Sequence, residues 1–295
     1  MPRRVYRFLR KRAKRASSYV WLAALKVRNR ASRSSVVGSA EVIVSLTTYG
    51  TRLSTVAYAI ESIAAGSVRP KRMVLWLDDP SRFEHRPTSL RRLERRGLDV
   101  RLSKNYGPHT KYFPSLCTAL SENLPMVTAD DDILYPRRWL YGLMVAGRKH
   151  PNEVSCYRAS IVTSFDGRIS AYDSWPRCKD TIASITRFAT GVSGVYYPVA
   201  MLRALAAHGE DFLERSPRAD DIWLHWVALQ ENIRIRQILP TARHFPYIPG
   251  TQKQTLIAEN VGQGANDLRI AELYSRSDIE VLTAAARKGD TPEGG

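Results

Sequence analysis

The chain has 295 residues, 44% of them hydrophobic, with three cysteines and a formal net charge of +17. That is ample for the core of one large α/β domain or two smaller ones, and three widely spaced thiols without a Cys-x-x-Cys pair exclude a zinc-finger or disulfide scaffold. The charge is uneven: residues 1–34 hold 12 Lys and Arg and no acid, while the other 33 basic and 28 acidic residues leave a mildly basic body that does not read as a nucleic-acid binder.

The N-terminal arm, residues 1–40, reads as a basic segment. Its longest apolar run, residues 19–25, has seven residues, against about 20 for a membrane span. It has no convincing signal-peptide cleavage site. As a helix it would gather Val5, Phe8, Leu9, Ala16, Tyr19, Val20, Ala23 and Val27 on one broad face, interrupted by Arg12. Three readings follow: a helix lying on an anionic membrane surface, a nucleic-acid arm, or a solvated basic tail. Cys117, Cys156 and Cys178 read as buried structural thiols in a reducing cytoplasm.

From residue 41 the pattern is regular. "EVIVSL" (41–46) is a strand. Residues 53–65 have helical spacing, with Val56, Ala59, Ile60 and Ile63 on one face. "MVLWL" (73–77) is a second strand, "LDVRL" (98–102) a third, and "PMVTA" (125–129) a fourth. A charged helix ends near Gly97, and another is expected over 114–122. Strands and helices alternating at this spacing predict βαβ units and an α/β fold with a mostly parallel central sheet.

Such sheets bind ligands at the carboxyl ends of their strands. The polar clusters fall there: "TTYGTR" (47–52), "DDP" (78–80) and "DDD" (130–132). Three adjacent carboxylates at the edge of a core repel one another and resist desolvation, so something must offset them. In an extended segment Asp130 and Asp132 point to one side. Two hard carboxylates there suit Mg²⁺ or Mn²⁺, which also binds a diphosphate. No dinucleotide fingerprint or P-loop is present.

In the second half, "SFDGRIS" (164–170) predicts a hairpin turning at Asp166-Gly167. "TGVSGVYYP" (190–198) holds two glycines that let backbone approach a ligand. Asp220 and Asp221 directly precede a helix expected over 222–230, and "IRIRQI" (233–238) alternates as a strand. The loop-rich stretch from "ARHFPYIPGTQKQT" to "ENVGQGAND" reads as a lid or binding loop. Residues 276–295 read as a polar, disordered tail.

The ordered set "VSLTTYGTR", "MVLWLDD", "GPHTKYFP", "VTADDDILYP", "TGVSGVYYP", "ADDIWL" and "GQGAND" resembles bacterial GT-A glycosyltransferases, close to family-2-like enzymes of polysaccharide and cell-envelope assembly. The resemblance covers residues 41–275. It implies a GT-A (Rossmann-like) domain with a nucleotide-binding half (41–135) and an acceptor half (136–275). It implies transfer of a sugar from a nucleotide-diphosphate sugar to a glycan or lipid-linked acceptor, with a Mn²⁺ or Mg²⁺ cofactor, and with inversion of the anomeric configuration, because the acceptor attacks opposite the leaving diphosphate. Thr47, Tyr49 and Arg52 would line the nucleotide, and Asp78 or Asp79 would approach base or ribose. Lys111 would add positive charge near the diphosphate. Asp130 would face ribose or metal, beside Asp131, and Asp132 would be the direct metal ligand, with His244 as a further candidate. Asp221, three places before Leu224, matches the family's general base, with Asp220 as its neighbour. The expected location is the cytoplasm, peripheral at the inner face of the cell membrane. A metal-dependent phosphotransferase or nucleotidyltransferase and a non-enzymatic nucleic-acid-binding protein stand as alternatives.

Overall fold

The structure is a computed structural model that describes residues 3–253 and 265–289. Its centre is a seven-stranded sheet built from β1 (Ala40–Thr47), β2 (Pro70–Leu77), β3 (Asp99–Leu102), β4 (Met126–Ala129), β5 (Val154–Cys156), β10 (Val195–Tyr197) and β11 (Ile235–Gln237). Four short strands lie outside it: β6 (Ala159–Ile161) pairs with β9 (Arg187–Ala189), and β7 (Ser164–Phe165) with β8 (Arg168–Ile169). The order across the sheet is β11-β5-β10-β4-β1-β2-β3. The β1–β2, β2–β3, β1–β4 and β5–β11 pairs are parallel, and only β10 runs against its neighbours. This is the α/β fold with a mostly parallel central sheet that the sequence pattern predicts.

Strand alternation sorts the core into two layers. Ile43, Val74, Trp76 and Met126 face one side, under α5 (Leu116–Ser121), α7 (Val199–Ala207) and α9 (Asp220–Gln230). Val42, Val44, Leu46, Met73, Leu75, Leu77 and Val127 face the other, under α2 (Val56–Ala64), α4 (Thr88–Glu94) and α6 (Trp139–Lys149).

Topology positions the site. Because β1, β2 and β4 are parallel, Thr47, Asp78 and Asp130 leave the sheet at the same edge. Antiparallel β10 pairs Val195 with Thr128, so the residues that precede it, "TGVSG", arrive at that edge too. This loop is strained: Ser193 has φ +83° and Gly194 φ +93°. A Cβ at Gly194 would lie 2.6 Å from Trp139, whose indole N–H donates to the Ser193 carbonyl at 2.7 Å. The expected hairpin turn is present, with Asp166 at φ +49° and Gly167 at φ +69°.

Several expectations change. The N-terminal arm is not separate from the body. It forms α1 (Arg3–Ala31), and Leu22 and Leu25 of that helix are buried against Ala59, Leu134 and Ile248. No helix among the described residues is long and apolar enough to cross a membrane. The expected disordered tail is helical over Arg276–Gly289: Leu282 joins the core and Thr283 Oγ1 shares a 2.7 Å hydrogen bond with Ser164 Oγ. Only residues 290–295 of it lie outside the described residues. The helix expected from residue 222 begins at Asp220, so both acids lie in its first turn. Cys156 and Cys178 are buried, but Cys117 is exposed, because α5 turns Leu116 and Ala119 inward and Cys117 outward.

Candidate functional site

The carboxyl edge of the sheet opens into a cleft of about 350 Å³. Thr47, Tyr49, Arg52, Asp78, Lys111, Asp130, Asp131 and Asp132 all line it. Asp79 does not. It begins the short helix Pro80–Glu84, accepting from the Arg82 N–H at 3.1 Å and pairing with the Arg82 guanidinium. His244 is also outside the lining. Its ring shares a 2.9 Å hydrogen bond with the hydroxyl of Tyr247, and it is Tyr247 that lines the cleft.

The three consecutive carboxylates have three environments. Asp130 pairs with Lys111 at 2.7 Å. Asp131 is buried, accepting from Thr48 Oγ1 at 2.6 Å and from Arg52 at 3.0 Å. Asp132 reaches the other end of the Arg52 guanidinium at 3.3 Å and accepts from Gln252 Nε2 at 3.0 Å. Strict strand alternation would part Asp131 from Asp132, but the chain turns at these two residues and one arginine grips both. Residues 246–248 cover the turn: Leu134 N–H donates to the Pro246 carbonyl, and Ile248 N–H to that of Asp132.

Electrostatics follow from this packing. Burial and the neighbouring Asp130 push Asp132 up to about 6, against the opposing pull of Arg52. Burial also raises Asp131, although Arg52 and Thr48 work against it. For Lys111 burial opposes the charge, but Asp130, Asp220 and Asp221 together hold the ammonium well above the ordinary lysine range. Arg52 and Lys111 thus offset part of the carboxylate cost. Four acids, Asp78, Asp130, Asp131 and Asp132, line the cleft with two cations. The excess negative charge is what a divalent cation cancels.

The donor set fits Mg²⁺ or Mn²⁺ in one particular way. Among the described residues no group of three or more His, Cys, Asp or Glu side chains forms a self-contained metal cage. Mg²⁺ usually takes one or two carboxylates and completes its shell with water and substrate phosphates. Asp130 and Asp132 supply such a pair.

Beside the cleft stands Asp221. It accepts the Gly191 N–H on both oxygens, at 3.0 and 3.1 Å. A Cβ on Gly191 would lie 3.0 Å from the Asp221 Oδ1 and 3.6 Å from the Lys111 ammonium, so the missing side chain is what lets the three meet. Burial, then Asp220, push Asp221 up to about 7 despite Lys111 and the Gly191 amide. His109 braces this corner. It is buried, with ring nitrogens bonded to the Tyr112 hydroxyl and the Ser216 carbonyl, and burial lowers its pKa. It therefore ties the turn bearing Lys111 to the turn that starts α9.

Sequence reasoning missed Thr48, Asn105, Gly107, Pro108, Val192, Tyr247 and Gln252. Thr48 falls in the polar cluster after β1, where nothing in the sequence marks it as the partner of Asp131. Tyr247 and Gln252 belong to the stretch read only as a binding loop, of which residues 254–264 lie outside the described residues. Trp175, Tyr196 and Trp223 are buried in the core. Asp267 accepts the Tyr172 N–H at 2.7 Å, a structural role.

No family model and no curated protein matches the sequence. Among solved structures, residues 1–349 of S. aureus TarS resemble the chain at 13% identity and TM-score 0.49, over 83% of this chain and 70% of that one. The same protein in complex with UDP gives 14% and 0.48 over the same shares. The mannosyltransferase PcManGT from Pyrobaculum calidifontis, in complex with GDP-Man and Mn²⁺, gives 14% and 0.47, over 95% of this chain and 86% of that one.

Proposed function

We propose that this chain is a GT-A-type glycosyltransferase, moving a sugar from a nucleotide-diphosphate sugar to a glycan or lipid-linked acceptor with inversion at the anomeric carbon. One observation carries the reading. A cleft with excess carboxylate, suited to a metal-bound diphosphate, lies beside a separately held acid, Asp221, which accepts the Gly191 N–H and whose pKa is raised by burial and by Asp220. A donor site needs the first feature and a hydroxyl nucleophile needs the second.

Asp130 and Asp132 would hold Mg²⁺ or Mn²⁺, which when bound supplies positive charge to the diphosphate leaving group. Tyr49 and Asp78 would bound the nucleoside end. Arg52 keeps Asp131 and Asp132 in place, and Lys111 adds a fixed positive charge between donor and acceptor sides. Asp221 takes the proton from the acceptor hydroxyl as that oxygen attacks the anomeric carbon and the bond to diphosphate breaks. Attack opposite the leaving group inverts the configuration.

The proposal extends to location: cytoplasmic, peripheral at the inner face of the membrane, with the start of α1 against anionic lipid. Eight of the first 15 residues are Lys or Arg, and Tyr19, Val20 and Val27 of α1 are exposed.

A thermal-shift screen of nucleotide sugars with and without Mn²⁺ tests the donor, since a ligand that binds only the folded state raises the melting temperature. Turnover should release free nucleoside diphosphate and a product of inverted configuration. Pyrophosphate release, or a product that retains the donor's configuration, overturns the reading.

A further inference from the structure

One stretch of chain holds Asp132 at two points. Residues 246–248 run antiparallel to 132–134. Ile133 bridges Tyr247, the Leu134 N–H donates to the Pro246 carbonyl at 2.8 Å, and the Ile248 N–H donates to the Asp132 carbonyl at 2.6 Å. Ile248 is buried in one cluster with Leu22, Leu25, Ala59 and Leu134, so the stretch is anchored against the docked part of α1. The chain then folds back: the Thr251 N–H and Oγ1 both donate to the Ile248 carbonyl, at 3.3 and 2.8 Å. That turn carries Gln252 to the carboxylate of the same aspartate.

The two oxygens of that carboxylate are treated differently. Gln252 Nε2 donates to Oδ2 at 3.0 Å, and Arg52 Nη2 meets the same oxygen at 3.3 Å. Among the described residues no donor meets Oδ1. A carboxylate is free to rotate about its last bond unless its oxygens are held. Two donors on one oxygen stop that rotation and leave the other oxygen for a ligand. Arg52 is shared, since its Nη1 pairs with Asp131 at 3.0 Å. Gln252 has no such second partner among the described residues. Both Asp132 and Gln252 line the cleft.

We propose that Gln252 is a positioning residue for Asp132, holding Oδ2 so that Oδ1 is kept for the cation; this rests on Asp130 and Asp132 being the pair that takes Mg²⁺ or Mn²⁺. Removing the outer hydrogen-bond partner of a metal ligand typically costs about 10–100-fold in metal affinity. The coupling is reciprocal. If Gln252 favours the bound ion, the bound ion must in turn hold the 246–252 stretch in place.

The test uses the full chain and Mn²⁺ alone, with free Mn²⁺ read by electron paramagnetic resonance. Wild type should bind an ion that Asp132→Asn does not. Gln252→Met keeps the length of the side chain and removes its donor, and should weaken Mn²⁺ binding about tenfold. Gln252 is exposed, so the unfolding midpoint of this variant in EDTA should match that of wild type. Mn²⁺ should also slow hydrogen exchange of the Ile248 amide in wild type, and slow it less in Gln252→Met. Mn²⁺ bound as tightly by Gln252→Met as by wild type overturns the inference, because the contact then only packs the loop. Tighter binding overturns it too, because Gln252 would then compete with the ion. Mn²⁺ uptake that survives in Asp132→Asn puts the ion elsewhere, and removes the metal reading of Asp132 together with the role of Gln252.

Discussion

Two of the places where this molecule buries carboxylates against arginine are built differently. Under α1, Glu61 is fully enclosed. Arg96 grips it with both guanidinium nitrogens, Arg28 pairs with it at 3.2 Å, and Asn29 donates at 3.1 Å. At the sheet edge, three aspartates share two cations, and all five groups face a cleft. The first arrangement is closed, with protein donors around every oxygen. The second keeps surplus negative charge and raised carboxyl pKa values at the wall of an open cleft. A buried charge matched by the protein alone serves the fold; one left partly unmatched is set up for a ligand.

Substitutions at the two places should therefore have opposite effects. Asp132→Asn is expected to nearly abolish transfer and to remove the metal dependence of donor binding, measured by calorimetry with Mn²⁺ and with EDTA. Its effect on folding should be small or favourable. The pKa of Asp132 is about 6 in the fold and about 3.9 unfolded. Ionisation thus costs stability that is absent below the unfolded pKa and fully expressed above about 6. An uncharged isostere relieves that cost. A cooperative loss of structure in Asp132→Asn would show that the acid serves the fold.

Asp221→Asn should bind donor normally and lose turnover by about 10²–10⁴-fold, the usual worth of a general base. Asp220→Asn should lose less. In the wild type the base must be ionised, so turnover should climb as pH rises and level off above about 7. A pH-independent rate between pH 5 and 8 would remove Asp221 from that role.

Glu61→Gln sharpens the other side of the comparison. It leaves the buried Arg96, and the half-buried Arg28 beside it, without their acid, a change expected to cost on the order of 3–5 kcal/mol. Urea unfolding should show this as a lower midpoint, while the folded protein retains its affinity for donor. Unchanged stability would mean that water or another acid takes over the pair.

The same contrast explains what could be read in the sequence. The sheet was legible because β1, β2 and β4 are short apolar runs, and their polar ends therefore marked the cleft. Arg52, Asp130, Asp131 and Asp132 stand at those ends and line the cleft; Lys111, which lines it too, followed only from the family resemblance. The reversed direction of β10 was not legible, since a three-residue strand carries no orientation; without it, Gly191 could not be placed against Asp221. The choice between Asp78 and Asp79 stayed open in the sequence because a cap and a ligand contact use the same residue type at a strand end. The lock on Glu61 was invisible for another reason. Its partners are 32 and 35 residues away, at Asn29 and Arg96, and an acid inside an amphipathic helix reads as solvent-facing until a partner is known. The helical C-terminus was missed because its polar composition concealed Leu282 and Thr283, the residues that dock it.

The smallest expected effect concerns the two parts of α1. From Leu22 onward the helix is part of the body: Leu22 and Leu25 are buried, and Arg28 and Asn29 reach Glu61. Removing residues 1–34 would expose that surface and leave Glu61 short of partners, so lost activity would say nothing about membranes. Removing residues 1–15 spares the docked part and deletes eight basic residues. Each is worth about 1 kcal/mol near an anionic surface and is screened by salt. The shortened chain should therefore keep its unfolding midpoint and its transfer to a soluble acceptor, but sediment less with vesicles containing anionic lipid. The difference should shrink as salt is raised and vanish with neutral vesicles. Equal sedimentation of both chains at low salt would show that α1 serves only to brace α2 through Glu61.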